Sequence, residues 1–127
     1  MKKILITGGL GYIGTELCKW YSGFSWKYEV IAIDNRFVSE RVNELKRRKI
    51  KFVQADILDL KKIKPYIEKA DIVHHLAGIT DVAYVKKDAD KKKDKLTTKV
   101  AIQGTQNVLD SMNQKAKIVF PSTHVVF

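Results

Sequence analysis

Apolar residues recur along the chain in short β-branched runs, most of them continuous rather than alternating with polar residues. Five such runs occupy residues 3–7, 29–33, 51–55, 71–77 and 117–122. Continuous apolar runs of this length are typical of strands that are buried on both faces of a parallel sheet. The pattern therefore predicts five buried parallel strands.

Between these runs, apolar residues are spaced three or four positions apart, as on one face of a helix. The three stripes are Ile13, Leu17, Tyr21 and Phe24, then Val38, Val42 and Leu45, and finally Val100, Gly104, Val108 and Met112. Residues 60–70 predict a shorter helix, which we expect Pro65 to break. Strands that alternate with helices predict one α/β domain over residues 1–127, a doubly wound parallel sheet with right-handed crossovers.

The turn between the first strand and the first helix is rich in glycine. Gly8 would allow a sharp turn, and Gly11, which lacks a Cβ, would let a pyrophosphate approach the backbone. Gly14 would let the helix pack close to the sheet. The N–H groups of Tyr12 and Ile13 would then point at the anion, helped by the helix dipole. The turn therefore predicts a dinucleotide site.

An acidic residue follows at the spacing that a dinucleotide site requires. Asp34 ends the second run, twenty residues after Gly14, where a carboxylate can accept both ribose hydroxyls of adenosine. The same carboxylate would repel a 2′-phosphate, so it favours NAD over NADP. Arg36 leaves two alternatives open, because its guanidinium could bind a 2′-phosphate or stack on adenine.

Charge and composition restrict the class of protein further. The net charge is +10, and a lysine-rich run covers residues 86–95. We interpret that run as a solvated loop and helix start, because it contains aspartates and no aromatic residues. We expect neither a nucleic-acid partner nor a membrane partner. The single cysteine and the absence of a long apolar stretch predict a cytoplasmic protein.

Six segments together resemble the extended short-chain dehydrogenase/reductases, specifically the NAD-dependent nucleotide-sugar epimerases and dehydratases. The resemblance covers the whole chain and predicts a Rossmann-type sheet with strand order 3-2-1-4-5. The matching segments are TGGLGYIG (7–14), DNR (34–36), ADILD (55–59), HLAGIT (75–80), GTQNVLD (104–110) and VFPSTHVVF (119–127).

The resemblance implies a set of cofactor-binding residues and no metal site. Asp56 would meet the adenine amino group with Ile57 beside the ring, and the backbone at residues 76–78 would line the inner part of NAD. The full set is Gly8, Gly11, Tyr12, Ile13, Gly14, Asp34, Asn35, Arg36, Asp56, Ile57, Leu76, Ala77, Gly78, Thr80 and Ser122. His74 and His75 have no further ligand at metal spacing, so we interpret them as packing and hydrogen-bonding residues.

The catalytic residues implied by the resemblance are only partly found. The serine or threonine of the family's catalytic triad maps to Thr123. The family's catalytic base is the tyrosine of a Tyr-x-x-x-Lys sequence, but no tyrosine of this chain is followed four positions later by lysine. The family asparagine before the Gly-Thr pair is also missing at Val100 and Ala101, where Gln103 or Thr98 could substitute. We therefore expect the NAD-binding N-terminal half of an enzyme, inactive alone.

The resemblance implies hydride transfer at a hydroxyl of a nucleotide sugar, with NAD as cofactor. The alternative is a non-catalytic NAD-binding module or sensor on the same fold, because a fold does not determine a function. A reading frame that continues into Tyr-x-x-x-Lys would favour the enzyme. We also expect a homo-oligomer that pairs through the last strand, which carries no charged residue after Lys117.

Overall fold

One parallel sheet organises the computed structural model, which describes residues 1–78 and 91–121. Its strands are β1 (Lys2–Thr7), β2 (Tyr28–Asp34), β3 (Lys51–Gln54), β4 (Ile72–His75) and β5 (Lys117–Val119). All neighbours pair in parallel, in the order β3-β2-β1-β4-β5. The predicted fold and strand order are confirmed. The last strand is shorter than its apolar run, since it ends before Pro121, which cannot donate to a ladder.

Helices cover both faces of the sheet. They are α1 (Tyr12–Ser22), α2 (Ser39–Arg47), α3 (Leu60–Ile67), α4 (Lys91–Lys99) and α5 (Thr105–Ser111), with a π-helical segment at Val100–Gly104 joining the last two. The helix predicted from the stripe between Val100 and Met112 is therefore present, but its hydrogen bonds are π-helical up to Gly104 and α-helical after it. Across residues 1–78 and 91–121, no helix is long and apolar enough to cross a membrane.

The prediction that Pro65 breaks its helix was wrong. Helix α3 continues through Pro65 to Ile67. Proline removes one hydrogen bond, to the carbonyl four residues earlier, and that carbonyl belongs to the exposed residue Lys61, where water can satisfy it. Ile63 and Ile67, both fully buried, anchor the helix on either side of the proline.

Alternate residues of each strand enter two separate cores. Ile4 and Ile6 of β1 face α1 and α2, whereas Leu5 between them faces α3 and α5. The first core also holds Leu10, Cys18, Tyr21, Val30, Ala32, Val42, Leu45 and Ile50, and the second holds Ile33, Val53, Ile63, Ile67, Val73 and Val108. Burial on both faces explains why the strands read as continuous apolar runs.

Helix α2 ends in a tight turn with an unusual residue at its tightest point. The N–H of Ile50 donates to the carbonyl of Leu45 at 2.9 Å, and Lys49 between them has a φ of 61°. Glycine is the usual residue at this left-handed position, because a Cβ there costs roughly 1–2 kcal/mol. The turn therefore holds an exposed lysine in strained backbone immediately before β3.

The glycine turn packs against the sheet at Gly9, which generates a stability prediction. A Cβ on Gly9 would lie 2.6 Å from the Cβ of Ala32 on β2, and the Gly9 N–H is held by the Ile33 carbonyl at 3.0 Å. Because neither backbone can withdraw, Gly9→Ala should lower the free energy of unfolding by about 1–3 kcal/mol in urea titrations.

Gly78 provides the matched control for this substitution. Within residues 1–78 and 91–121, nothing beyond its chain neighbours lies within 4 Å of a Cβ built there. Gly78→Ala should therefore leave stability unchanged, or raise it slightly because alanine restricts the unfolded chain. Equal stability of the two variants would contradict the packing role of Gly9.

Candidate functional site

The glycine turn lies where the ends of β1 and β4 meet. Gly8 has a φ of 69°, which favours glycine, and a Cβ there would lie 2.8 Å from the amide nitrogen of Ala77. The Gly11 N–H donates to the Gly8 carbonyl at 3.0 Å and closes the turn. The turn therefore occupies the point where strand order reverses, which is the usual ligand crevice of open α/β sheets.

Gly14 was expected to let the helix pack close to the sheet, but its close contact is with the glycine turn. A Cβ on Gly14 would collide with the Gly8 carbonyl oxygen and would lie 2.8 Å from the Gly9 Cα. Helix α1 thus packs on the glycine turn itself, and the close contact with the sheet belongs to Gly9. The glycines hold the first turn of the helix directly over the crevice.

The amino-terminal end of α1 is open toward this crevice. Gly11 caps the helix without a side-chain hydrogen bond, and the first turn contains no acidic residue. Among the described residues, the N–H groups of Tyr12 and Ile13 have no acceptor. A Cβ on Gly11 would meet only the Gly8 carbonyl at 3.3 Å and an Arg36 nitrogen at 3.9 Å. This space suits an anion, which the helix dipole would attract.

Asp34 ends β2 beside the same turn. It is 5% exposed, and its Oδ2 accepts the Leu10 N–H at 3.0 Å. Arg36 donates to Oδ1 from its backbone N–H at 3.0 Å and from Nε at 3.1 Å, and to Oδ2 from Nη2 at 3.2 Å. The carboxylate is therefore neutralised by a two-pronged guanidinium contact.

In the structure the Arg36 guanidinium pairs with Asp34, and the two alternatives left open by the sequence stay predictions. Its hydrogen bonds to Asp34 hold the pKa of the guanidinium above its ordinary value. About half of the Arg36 side chain remains exposed, so the guanidinium can exchange its carboxylate contact for a ligand.

A second arginine near the turn was missed by the sequence analysis. Arg41 of α2 donates from Nη1 to the Leu10 carbonyl, and its guanidinium carbon lies 5.7 Å from the centre of the Tyr12 ring. No spacing rule identifies this arginine, because it depends on how α2 is placed against the glycine turn. Arg41 therefore adds positive charge near Gly11, beside the Arg36 guanidinium that pairs with Asp34.

The residues expected around adenine lie at the ends of β2 and β3. Asn35 is exposed, and its carbonyl accepts the Gln54 side-chain amide at 3.3 Å. Asp56 is exposed, and its Oδ1 accepts the Leu58 N–H at 2.9 Å, which leaves Oδ2 available. The Ile57 side chain is buried in the second core. An adenine contact at Ile57 would therefore involve backbone more than side chain.

Gly104 and the neighbouring polar residues close the crevice from the helical side. A Cβ on Gly104 would collide with the Ile57 side chain, and the Asn107 amide donates to the Ile57 carbonyl at 2.9 Å. Gln103, a candidate substitute for the missing asparagine, donates to Asn107 Oδ1 at 2.8 Å. Gln103 thus supports the Ile57 turn through Asn107.

Thr7 at the end of β1 fixes the turn that follows β4. Its hydroxyl accepts the N–H groups of Leu76 and Ala77, each at 3.1 Å. Its own hydrogen is then directed to His75 Nδ1 at 2.7 Å. The His75 proton consequently lies on Nε2, which donates to Thr105 Oγ1 at 3.0 Å.

The two adjacent histidines both form hydrogen bonds, on opposite faces of β4. His74 Nε2 pairs with the Tyr21 hydroxyl at 2.6 Å on the α1 face, and His75 joins Thr7 to Thr105 on the other. Burial lowers the pKa of both imidazoles and raises the pKa of Tyr21. The hydrogen bonds to Thr7 and Thr105 require a neutral His75 imidazole, because a proton on Nδ1 would face the Thr7 hydroxyl hydrogen.

The remaining predicted site residues are placed as follows. Gly78 is exposed, with open space around its Cα. Thr80, Ser122 and Thr123 lie outside the described residues. The structure therefore brings the residues at the ends of β1, β2 and β4 together, and the assignments of Thr80, Ser122 and Thr123 stay predictions.

Comparison with known proteins identifies relatives of this site. The pattern of the 3-beta hydroxysteroid dehydrogenase/isomerase family matches residues 5–127. A dTDP-D-glucose 4,6-dehydratase from Dictyostelium discoideum is 33% identical over 135 aligned residues, which cover 100% of this chain and 30% of the relative. A UDP-N-acetyl-alpha-D-glucosaminuronate decarboxylase from Bacillus cytotoxicus is 30% identical over 99% of this chain and 38% of its own length.

A solved structure supports the same relationship. A UDP-glucose-4-epimerase from Stenotrophomonas maltophila, crystallised with bound NAD and formylated UDP-arabinopyranose, aligns with a TM-score of 0.77 and 25% identity. The alignment covers 98% of this chain and 38% of the epimerase. The chain thus spans about a third of the length of the relatives it matches.

The buried neutral His75 generates a prediction about pH. Because its pKa is lowered in the folded state, the unfolded chain binds a proton that the folded chain rejects once the pH falls below about 6.5. The free energy of unfolding should therefore fall as the pH is lowered from about 7 to 5, by at most about 1.4 kcal/mol per pH unit for this group.

Two variants separate the titration from the hydrogen bonds. His75→Gln should flatten this part of the pH dependence in urea titrations, although it lowers stability at neutral pH. Thr105→Val removes a hydrogen-bond partner but no titrating group, so it should retain the slope. An unchanged slope in His75→Gln would contradict the assignment.

Proposed function

This chain belongs to the 3-beta hydroxysteroid dehydrogenase/isomerase family, and we propose that it binds NAD as the cofactor-binding part of an enzyme acting on a nucleotide sugar. One observation carries the proposal: the open first turn of α1 and the buried Asp34 carboxylate lie on either side of one glycine turn. That combination supplies an anion site and a hydroxyl acceptor at the spacing of a dinucleotide.

The space at Gly11 fits a pyrophosphate. The N–H groups of Tyr12 and Ile13 would bind its oxygens, and the guanidinium groups of Arg36 and Arg41 would offset its charge. The absence of a Cβ at Gly11 leaves room for the phosphorus atoms, since beyond its chain neighbours the described residues place only the Gly8 carbonyl oxygen and an Arg36 nitrogen within 4 Å of that position. The two N–H groups on the first turn of α1 and the Arg41 guanidinium, which is bonded to the Leu10 carbonyl, are in place before any ligand arrives, which reduces the entropic cost of binding.

Asp34 would hold the adenosine ribose after an exchange of partners. Its contacts with the backbone N–H groups of Leu10 and Arg36 can persist. The Arg36 side chain would break its hydrogen bonds to the Asp34 carboxylate, and the two carboxylate oxygens would then accept from the ribose hydroxyls. Arg36 would turn toward the phosphates or the adenine face. Asn35, Asp56 and the Ile57 backbone would then surround the base.

The turn after β4 would line the inner part of the cofactor. Thr7 holds the N–H groups of Leu76 and Ala77, which leaves their carbonyls and the bare Gly78 to face the ligand. Thr80 and Ser122 extend this lining on the family resemblance alone. When bound, NAD supplies the acceptor and donor for hydride transfer at a carbon bearing a hydroxyl.

The substrate class is inferred from the relatives. Two of them, at 33% and 30% identity, have names that refer to nucleotide sugars, whereas the family description refers to hydroxysteroids. We favour a nucleotide sugar because these two matches have higher identity and coverage than those to two 3 beta-hydroxysteroid dehydrogenases, which are 27% and 26% identical over 87% of this chain. Thr123 would hydrogen-bond the reacting hydroxyl, and a base from a Tyr-x-x-x-Lys sequence would take its proton.

A second candidate function is a non-catalytic NAD-binding module. What supports it is that the described cofactor crevice is formed by the ends of β1, β2 and β4 and can bind a dinucleotide whether or not a catalytic base is present. Pairing of two chains through β5, which lies at an edge of the sheet, would fit either function.

Gly11→Val tests the anion site. The branched side chain should fill the pyrophosphate space, so calorimetric titration should show NAD binding at least about 100-fold weaker, with the fold retained. The control is Gly23→Val at the other end of α1, since a Cβ there also lies 3.3 Å from a carbonyl oxygen three residues earlier. Equal NAD affinity of the two variants would remove the basis for this site.

Asp34 and Arg36 can be tested as a pair. Asp34→Ala should weaken NAD binding about 10- to 100-fold, the usual effect of losing hydrogen bonds to a charged acceptor, and should abolish the preference for NAD over NADP. Arg36→Ala should preserve or strengthen NAD binding, because it frees the carboxylate. If Arg36→Ala instead weakens only NADP binding, the arginine serves a 2′-phosphate and the assignment of NAD is wrong.

A further inference from the structure

The end of the sheet opposite the glycine turn carries a concentrated positive charge. We call this surface the amino edge; it consists of the first residues of the strands and the turns that precede them. Its lysines are all exposed, and within the described residues they are Lys2, Lys3, Lys27, Lys49, Lys51, Lys69, Lys115 and Lys117. Its acidic residues are Glu29, Glu68 and Asp71. The surface therefore has a clear excess of positive charge.

None of these lysines is neutralised by an ion pair within residues 1–78 and 91–121. The ion pairs of that part of the chain are made by Arg36, Arg47 and Arg48. Lys27 and Lys51 instead lie 5.4 and 5.3 Å from the ring centres of tyrosines. Because parallel strands all begin on one side, the ammonium groups add to one positive field.

A large aromatic side chain projects from the same surface. Trp26, in the turn between α1 and β2, is 74% exposed, and the nearby Phe24 is 37% exposed. A tryptophan ring combines an apolar body with an N–H donor, which suits the boundary between a bilayer and water. Lys27 follows it directly, so apolar and cationic groups occupy the same turn.

A cleft opens beside Trp26. Its volume is about 330 Å³, and its lining includes Met1, Ser25, Tyr28 and Lys49. The left-handed backbone at Lys49 places a lysine in the lining, at a position where glycine is favoured. The lining holds two cationic residues, Lys49 and Arg48, and one acidic residue, Glu29, so the cleft carries a net positive charge.

In contrast to the expectation from the sequence that the chain has no membrane partner, we propose that the amino edge binds the surface of a bilayer rich in anionic phospholipids. The lysines lie over the phosphates while the Trp26 ring enters the interface, so that electrostatic and apolar contacts act together. The contact is peripheral and leaves the crevice at the glycine turn open, because that crevice lies at the other end of every strand.

A lipid surface fits these residues better than a nucleic acid does. Nucleic-acid recognition relies on arginine forks and on a helix or ribbon that enters a groove. The amino edge presents lysines on short turns, and its one arginine, Arg48, is already bonded to Glu44 and Ser22. Lysines act as separate point charges, which is sufficient for a layer of phosphates.

Vesicle binding by the 127-residue chain tests the proposal. In a Trp20→Phe background Trp26 is the remaining tryptophan, so its emission should shift to shorter wavelength with phosphatidylglycerol-containing vesicles and stay unchanged with pure phosphatidylcholine. Lys2→Gln/Lys27→Gln/Lys49→Gln should weaken cosedimentation on the order of 100-fold, at about fivefold per lysine. Trp26→Ser should weaken it further, and added salt should weaken it in every variant.

A charge-matched control removes three lysines elsewhere. Lys61→Gln/Lys62→Gln/Lys64→Gln on α3 lowers the net charge from +10 by the same amount, and should change vesicle binding far less. Equal effects of the two triple variants, or equal binding to both kinds of vesicle, would overturn the proposal.

Two further outcomes would also overturn it. The first is tighter binding to duplex RNA than to anionic vesicles, without an emission shift. The second is a lower melting temperature of the amino-edge triple variant with unchanged vesicle binding, which would mean that the lysines only offset the negative carboxyl ends of the helices. NAD affinity should be the same in all these variants, so failure here is separable from failure of the proposed cofactor site.

Discussion

Close backbone packing at the glycine turn is the constraint on which the rest of the site depends. Gly8 lies against the amide of Ala77, Gly9 against Ala32, and Gly14 against the turn itself. These contacts bring the ends of β1, β2 and β4 within reach of one another. Because three separate approaches are too close for a Cβ, the turn has one arrangement, and the first turn of α1 is directed at the crevice.

Polar side chains then fix the three strand ends in that arrangement. Asp34 ties β2 to the turn through Leu10, and Thr7 ties β1 to the turn after β4. His75 extends the second network to Thr105 on α5. Each buried donor or acceptor in this set has a partner, as buried polar groups require. The crevice is consequently rigid where backbone must face a ligand and adjustable at the half-exposed Arg36.

The sequence predicts local and repeated features of this fold well and specific side-chain pairings poorly. The strands, most of the helices and the glycine turn follow from periodicity and spacing, because many residues contribute to each pattern, whereas the strand order was implied by the family resemblance. The position of Arg41, the fork of Arg36 on Asp34 and the Thr7–His75–Thr105 network each depend on one rotamer or one helix placement. The prediction at Pro65 was wrong because the cost of a proline inside a helix depends on whether water reaches a single carbonyl.

Parallel topology also explains why the molecule has two chemically different ends. Every crossover helix begins near the carboxyl ends of the strands and finishes near their first residues, so helix amino ends gather at the glycine turn and helix carboxyl ends gather at the amino edge. An anionic ligand is favoured at the first end and cationic side chains at the second.

The lysines of the amino edge are distant in sequence, from Lys2 to Lys117, and no window of the chain reveals them as a group. Only the shared direction of the strands brings them onto one surface. The lysine-rich run at 86–95 is the more conspicuous feature in the sequence, yet among the described residues the fold gathers charge from one or two lysines at or just before the start of each strand. A charge pattern can therefore indicate a partner only after the topology has determined which residues are neighbours.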